Sequence, residues 1–126
     1  MNILVIVLFV FGVFEIISNS FHLTKGDIKA IGTSAKKQHR ELLSTLEEKH
    51  FFYKALIMLF SGLMFFASAL IFFVSVRAGI FCLFFSSYFF SLYGLAQLIC
   101  YYKNIRVWFS FIVYSLPIIA CYLIIR

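Results

Sequence analysis

Charge is scarce in this 126-residue chain: 13% of its residues are Asp, Glu, Lys or Arg, and only five of them are acids. A soluble domain is about a quarter charged and about half apolar. Here 63% of residues are hydrophobic, more than a water-facing fold of this length can hide. Proline occurs once, and Gly/Ser-rich linkers and tandem repeats are missing, which argues for one domain without flexible joints. The three cysteines form no CxxC and the three histidines no HExxH, so neither a zinc ribbon nor a zincin helix is expected. No P-loop, no nucleophile elbow and no pair of carboxylates within an apolar run is present. Enzymatic chemistry, a bound metal and a cofactor are therefore not expected. Strict alternation of apolar and polar residues is also missing, which excludes outer-membrane strands.

What the chain has is four long apolar runs: residues 2–20, 51–76, 78–102 and 107–125. At 1.5 Å per helical residue they reach roughly 28 to 39 Å, enough for a hydrocarbon core of about 30 Å. The expected fold is all-α, an integral membrane four-helix bundle in a single transmembrane domain. A cleaved signal peptide is the rival reading of the first run, since Ser18-Asn19-Ser20 has the small-x-small form of a cleavage site. Against it, no Lys or Arg precedes the run and Glu15 interrupts its end.

Basic residues fix the expected orientation. Lys25, Lys29, Lys36, Lys37, Arg40, Lys49, Lys54, Lys103 and Arg106 fall on one side, and only Arg77 and Arg126 on the other. The positive-inside rule then puts both termini outside and residues 21–50 in the cytoplasm, in the cell membrane (the inner membrane if the source is bacterial). The +6 net charge reads as attraction to anionic lipid headgroups. Nucleic acid is not an expected partner, because the basic segment also carries Asp27, Glu41, Glu47 and Glu48 and lacks interleaved aromatics.

Within the cytoplasmic segment, Asp27 is expected to cap a short turn ended by Gly32, and Ser34 a second one running to Leu43. Ile28, Ile31, Ala35, Leu42 and Leu46 give it an intermittent apolar side suited to the headgroup layer, a partly ordered loop being the alternative. Ser44-x-x-Glu47 and Thr45-x-x-Glu48 are overlapping capping boxes that predict a helix start near Leu46.

Glu15 is the acid inside the first run. Counting from the helix ends puts Glu15, Lys54, Gln97 and Ser110 about one turn inside the same face, one from each helix. They are expected to form a buried polar cluster centred on a Glu15–Lys54 ion pair, rimmed by Asn19, His22, His50 and Tyr101. Such a pair holds a bundle together or serves as a proton or substrate site. Only Phe, Leu, Ile, small residues and hydroxyls lie beyond it, so no titratable relay continues across, and packing is the favoured role. The stretch VFEIISNSF, Val13 to Phe21, resembles the first helix of small multidrug resistance exporters, which carry a glutamate at a similar place. The resemblance implies an exporter role for Glu15. The long segment that follows departs from that family's compact loops, and the family is not assigned.

Small residues mark close packing: Ser61, Gly62 and Ser68 on the second run, Ser87, Ser91 and Gly94 on the third. Joined by a tight Arg77-Ala78-Gly79 turn, these two runs are expected to pair through those faces, with a homodimer as the rival use. Pro117 should kink the last helix. Tyr101, Tyr102 and Trp108 suit an interfacial aromatic belt. Cys82, Cys100 and Cys121 read as apolar thiols, with a Cys82–Cys121 bridge as the alternative. The expected function is that of a small non-enzymatic accessory, regulatory or immunity-type membrane subunit, with a membrane-protein partner. A proton-coupled exporter using Glu15 is the alternative, and a membrane enzyme acting on lipid or quinone the weaker one.

Overall fold

Long runs of Leu, Ile, Phe and Val let the backbone satisfy its own hydrogen bonds within each segment, the arrangement a lipid-embedded chain requires. The computed structural model describes residues 2–38 and 46–125. Among the described residues five helices follow in chain order: α1 (Asn2–Leu23), α2 (Ile28–Gln38), α3 (Glu48–Val74), α4 (Val76–Cys100) and α5 (Ile105–Ile125). The described residues contain no strand. α1, α3, α4 and α5 are long and apolar enough to cross a membrane. The stretch from His39 to Leu43, the capping residues Ser44 and Thr45, and Arg126 lie outside the described residues.

Three local expectations are corrected. Gly32 does not end a turn and Ser34 does not start one; both sit inside the single helix α2, whose first turn Asp27 caps by accepting from the Ala30 amide at 2.9 Å. Gly32 is there for close approach: a Cβ on it would collide with the Glu48 carbonyl oxygen at the start of α3. The break between α3 and α4 comes at Ser75, in extended conformation (φ −152°, ψ 122°), and not at Arg77-Ala78-Gly79, which form the first turn of α4. Ser75 caps α4 by accepting from the Ala78 amide at 3.3 Å, a role its hydroxyl suits. α3 starts at Glu48, with Glu47 at the N-cap, rather than near Leu46. α5 continues through Pro117.

α1 packs on α3, α3 on α4, and α4 on α5. The ring does not close: among the described residues, no Cα of α1 lies within 8 Å of a Cα of α5. α2 folds back against α3 and α1 and covers one end of the array. There Ala35 joins Phe51, Ala55, Leu98 and Val107 in a buried apolar cluster, so Ile31, Gly32 and Ala35 spend the apolar side of α2 on the bundle. Along the array, edge-to-face rings link the helices. Phe11 meets Phe65 at 5.4 Å, Phe65 meets Phe90 at 5.7 Å, and Phe90 meets Tyr114 at 4.7 Å.

Glycine sets the tightest contact. A Cβ on Gly62 of α3 would lie 2.7 Å from Cβ of Glu15, and one on Gly12 of α1 would lie 2.9 Å from the Gly62 carbonyl oxygen. Small residues let the two backbones touch, and dispersion replaces the hydrophobic drive that lipid does not supply. The substitution Gly62→Leu is expected to destabilise the fold by about 1–3 kcal/mol or more through overpacking. Leu63→Ala, on the exposed side of the same helix, should cost far less. Thermal unfolding in detergent compares the two.

Candidate functional site

Lys54 is the centre of the polar layer at the α2 end. It sits on the second turn of α3 and is 1% exposed. A buried ammonium is tolerated only with acceptors and opposing charge around it. Its Nζ donates to Gln97 Oε1 of α4 at 3.0 Å. The rings of Tyr93 and Tyr114 stand 5.9 Å and 5.7 Å from it, within cation–π range. Glu15 on α1 attracts it through space.

The direct partner of the Glu15 carboxylate is Asn19, one helical turn on. Asn19 Nδ2 donates to Glu15 Oε2 at 2.9 Å and to the Glu15 carbonyl at 2.7 Å. Asn19 is fully buried. Its Oδ1, like Gln97 Nε2, has no hydrogen-bond partner among the described residues.

A second polar knot ties α1 to α2. His22 Nδ1 pairs with Ser34 Oγ at 2.7 Å and His22 Nε2 with Gln38 Oε1; Ser18 Oγ donates to the same Gln38 oxygen at 3.0 Å. Positions 18 and 22 thus meet 38 and 34, so the two helices run antiparallel where they touch. Ser34, expected as a cap, is instead a partner for His22.

The sequence-predicted residues therefore separate into groups. Lys54 and Gln97 meet directly, Glu15 stands near them with Asn19, and His22 turns to α2. Tyr101 caps the end of α4 and packs against the Phe51–Ala55 cluster. His50 is exposed and Ser110 half-buried. Tyr114, one turn along α5 from Ser110, supplies that helix's ring to Lys54. The depth count does not single out Tyr114 and Tyr93, although each lies four residues from a predicted member (110 and 97) and so on the same helical face.

The small-residue faces are distributed differently from the expected pairing. Ser68 of α3 meets Ser86 of α4 at 3.3 Å. Ser61 is buried and donates back to the Ile57 carbonyl at 3.0 Å. Ser87 lies 3.4 Å from Cys121 Sγ, Ser91 donates to the Tyr114 carbonyl at 3.1 Å, and Gly94 abuts the Tyr114 side chain. The Ser87–Ser91–Gly94 face thus belongs to α5 and not to α3. One residue is about 100° of helix rotation, and that is what separates Ser86 from Ser87. All three cysteines are free.

Two concavities adjoin the layer. A cleft of about 530 Å³ runs along the open seam between α1 and α5. It is walled by Leu4, Leu8, Phe11, Leu116 and Cys121, among others, and reaches Glu15 and Gln38 at its polar end. An open cup of about 540 Å³ on α2 is lined by Lys25, Lys29 and Lys37 with Asp27, Thr33 and Ser34. Among the described residues, no three His, Cys, Asp or Glu side chains come together as metal ligands would.

These features define a class: an all-helical chain whose four long apolar helices mark it, by length and composition, as a multi-pass membrane protein. Comparison with protein-family models, curated proteins and solved structures finds no match.

Hydrogen bonds to charged groups contribute about 1.5–3 kcal/mol. Gln97→Leu is therefore expected to lower stability by about that much, and by clearly less in a Lys54→Met background. A double-mutant cycle read by denaturant or thermal unfolding checks this coupling.

Proposed function

We propose that the chain is a non-enzymatic accessory, regulatory or immunity-type subunit of the cell membrane, working through lateral contacts with a membrane-protein partner and with lipid. Both termini face outward, and α2 lies at the cytoplasmic face. The observation that carries this reading is the open seam. α1 and α5 leave an apolar cleft facing sideways, where a lipid-embedded partner or lipid would meet the protein. Two further observations support it. The Lys54–Gln97 and Glu15–Asn19 bonds turn the polar layer inward. The excess of basic residues gathers at the end that α2 covers.

One observation favours a second reading: Glu15 lines the cleft. A proton-coupled exporter would bind its cargo there and release a proton from the carboxylate.

Orientation and activity are tested separately. With the native cysteines replaced by alanine, a cysteine at Arg77 should react with an impermeant reagent from outside intact cells. One at Lys36 should react only after permeabilisation. Labelling of Lys36→Cys from outside would overturn the topology. In proteoliposomes, the subunit reading expects no proton-driven flux. The exporter reading expects flux that Glu15→Gln abolishes while leaving the fold intact.

A further inference from the structure

The cleft and the lysine cup adjoin the same turn of α2. Gln38 lies at the polar end of the cleft and Ser34 lines the cup. Both bond to His22, and Lys37 of the cup is the neighbour of Gln38. We infer that together they form one lipid site: a single acyl chain of an anionic phospholipid lies in the cleft, and its phosphate rests on Lys25, Lys29 and Lys37.

Length and chemistry suit the chain. Leu4 and Glu15 at the two ends of the cleft are eleven residues apart on α1, a span of about 16 Å that an extended hydrocarbon chain can follow. Most of the walls are Leu, Val, Phe and Met side chains that ask for no hydrogen bond, and Glu15 and Gln38 lie together at one end.

Charge selects the headgroup. Lys29 and Lys37 lie two turns apart on one face of α2, with Lys25 from the preceding turn and Asp27 as the cup's acid. Three cations against one anion favour a phosphate without a compensating ammonium. Lys25 Nζ also stands 4.1 Å over the exposed Phe21 ring, the arrangement of a cation anchored at a lipid boundary. Lys36, by contrast, points away and donates to the Leu46 carbonyl. Glu15 lies at the junction, where Asn19 holds it and the Lys54 charge opposes it. The lysines therefore set the field that a phosphate meets.

The inference rests on the proposed orientation, which puts α2 at the anionic inner leaflet. Its test does not depend on sidedness. The full chain, purified in mild detergent, is titrated with phosphatidylglycerol, phosphatidylcholine and inorganic phosphate, and bound lipid is counted by native mass spectrometry. One phosphatidylglycerol per chain is expected, held about tenfold or more tighter than phosphatidylcholine and not displaced by inorganic phosphate. Lys29→Gln with Lys37→Gln should erase that preference. Ala120→Trp, which fills the cleft from an exposed wall position, should abolish retention of either lipid. Equal retention of the two lipids, an unchanged preference in the double lysine variant, or full retention in Ala120→Trp would each overturn the site. So would displacement by inorganic phosphate, or a lipid-free dimer. Retained lipid together with labelling of Lys36→Cys from outside would overturn the orientation alone.

Discussion

The seating of α1 on α3 at Gly12 and Gly62 is the constraint on which the remaining architecture depends. Where two backbones touch, neither helix can rotate or slide without collision. Glu15 follows Gly12 by one turn, so the same contact fixes where its carboxylate points. It also commits α1 to one side of α3. The backbone of α5 packs closely on α4 alone among the described helices, and the seam between α1 and α5 stays open. The cleft follows from backbone contact on the far side of the array; no separate device is needed to hold it apart.

Burial of charge at the α2 end follows a related logic. An ammonium and a carboxylate inside an apolar bundle are costly unless each has directed partners. Lys54 has Gln97 and two aromatic faces, and Glu15 has Asn19. The residual attraction between the two charges then acts across the layer without a shared hydrogen bond having to carry it. α2 completes the arrangement by closing the array over Phe51, Ala55, Leu98 and Val107. Its own attachment uses the His22–Ser34–Gln38 knot and the contact of Gly32 with Glu48.

How much of this was legible in the sequence depends on the physical quantity involved. Helix number and length follow from hydropathy, because lipid demands long unbroken apolar runs. Depth follows too: a rise of 1.5 Å per residue brings Glu15, Lys54 and Gln97 to a common level. Rotation does not follow. These helices are apolar nearly all round, so no polar stripe marks the buried side. For that reason the sequence does not distinguish α5 from α3 as the neighbour of Ser87, or Tyr114 from Ser110 as the residue that faces Lys54. In α2 the failure was of another kind. Gly32 and Ser34 carry the local chemistry of helix ends, but tertiary contacts with Glu48 and His22 claimed them. The lateral cleft had no sequence signal, since it is made of residues that look like any lipid-facing wall.

The most direct test is oxidative cross-linking of paired cysteines across α3–α4 and α1–α5. A disulfide needs Cβ atoms about 3.5–4.5 Å apart and does not form when the Cα atoms are more than about 7 Å apart. Ser68 and Ser86 hold their hydroxyl oxygens 3.3 Å apart, so Ser68→Cys with Ser86→Cys should close readily. Leu8→Cys and the native Cys121 line the cleft from α1 and α5, with Cα atoms more than 8 Å apart, and should stay reduced. A bond between positions 8 and 121 that forms as fast as the one between 68 and 86 would mean that the seam is closed, and would contradict the account.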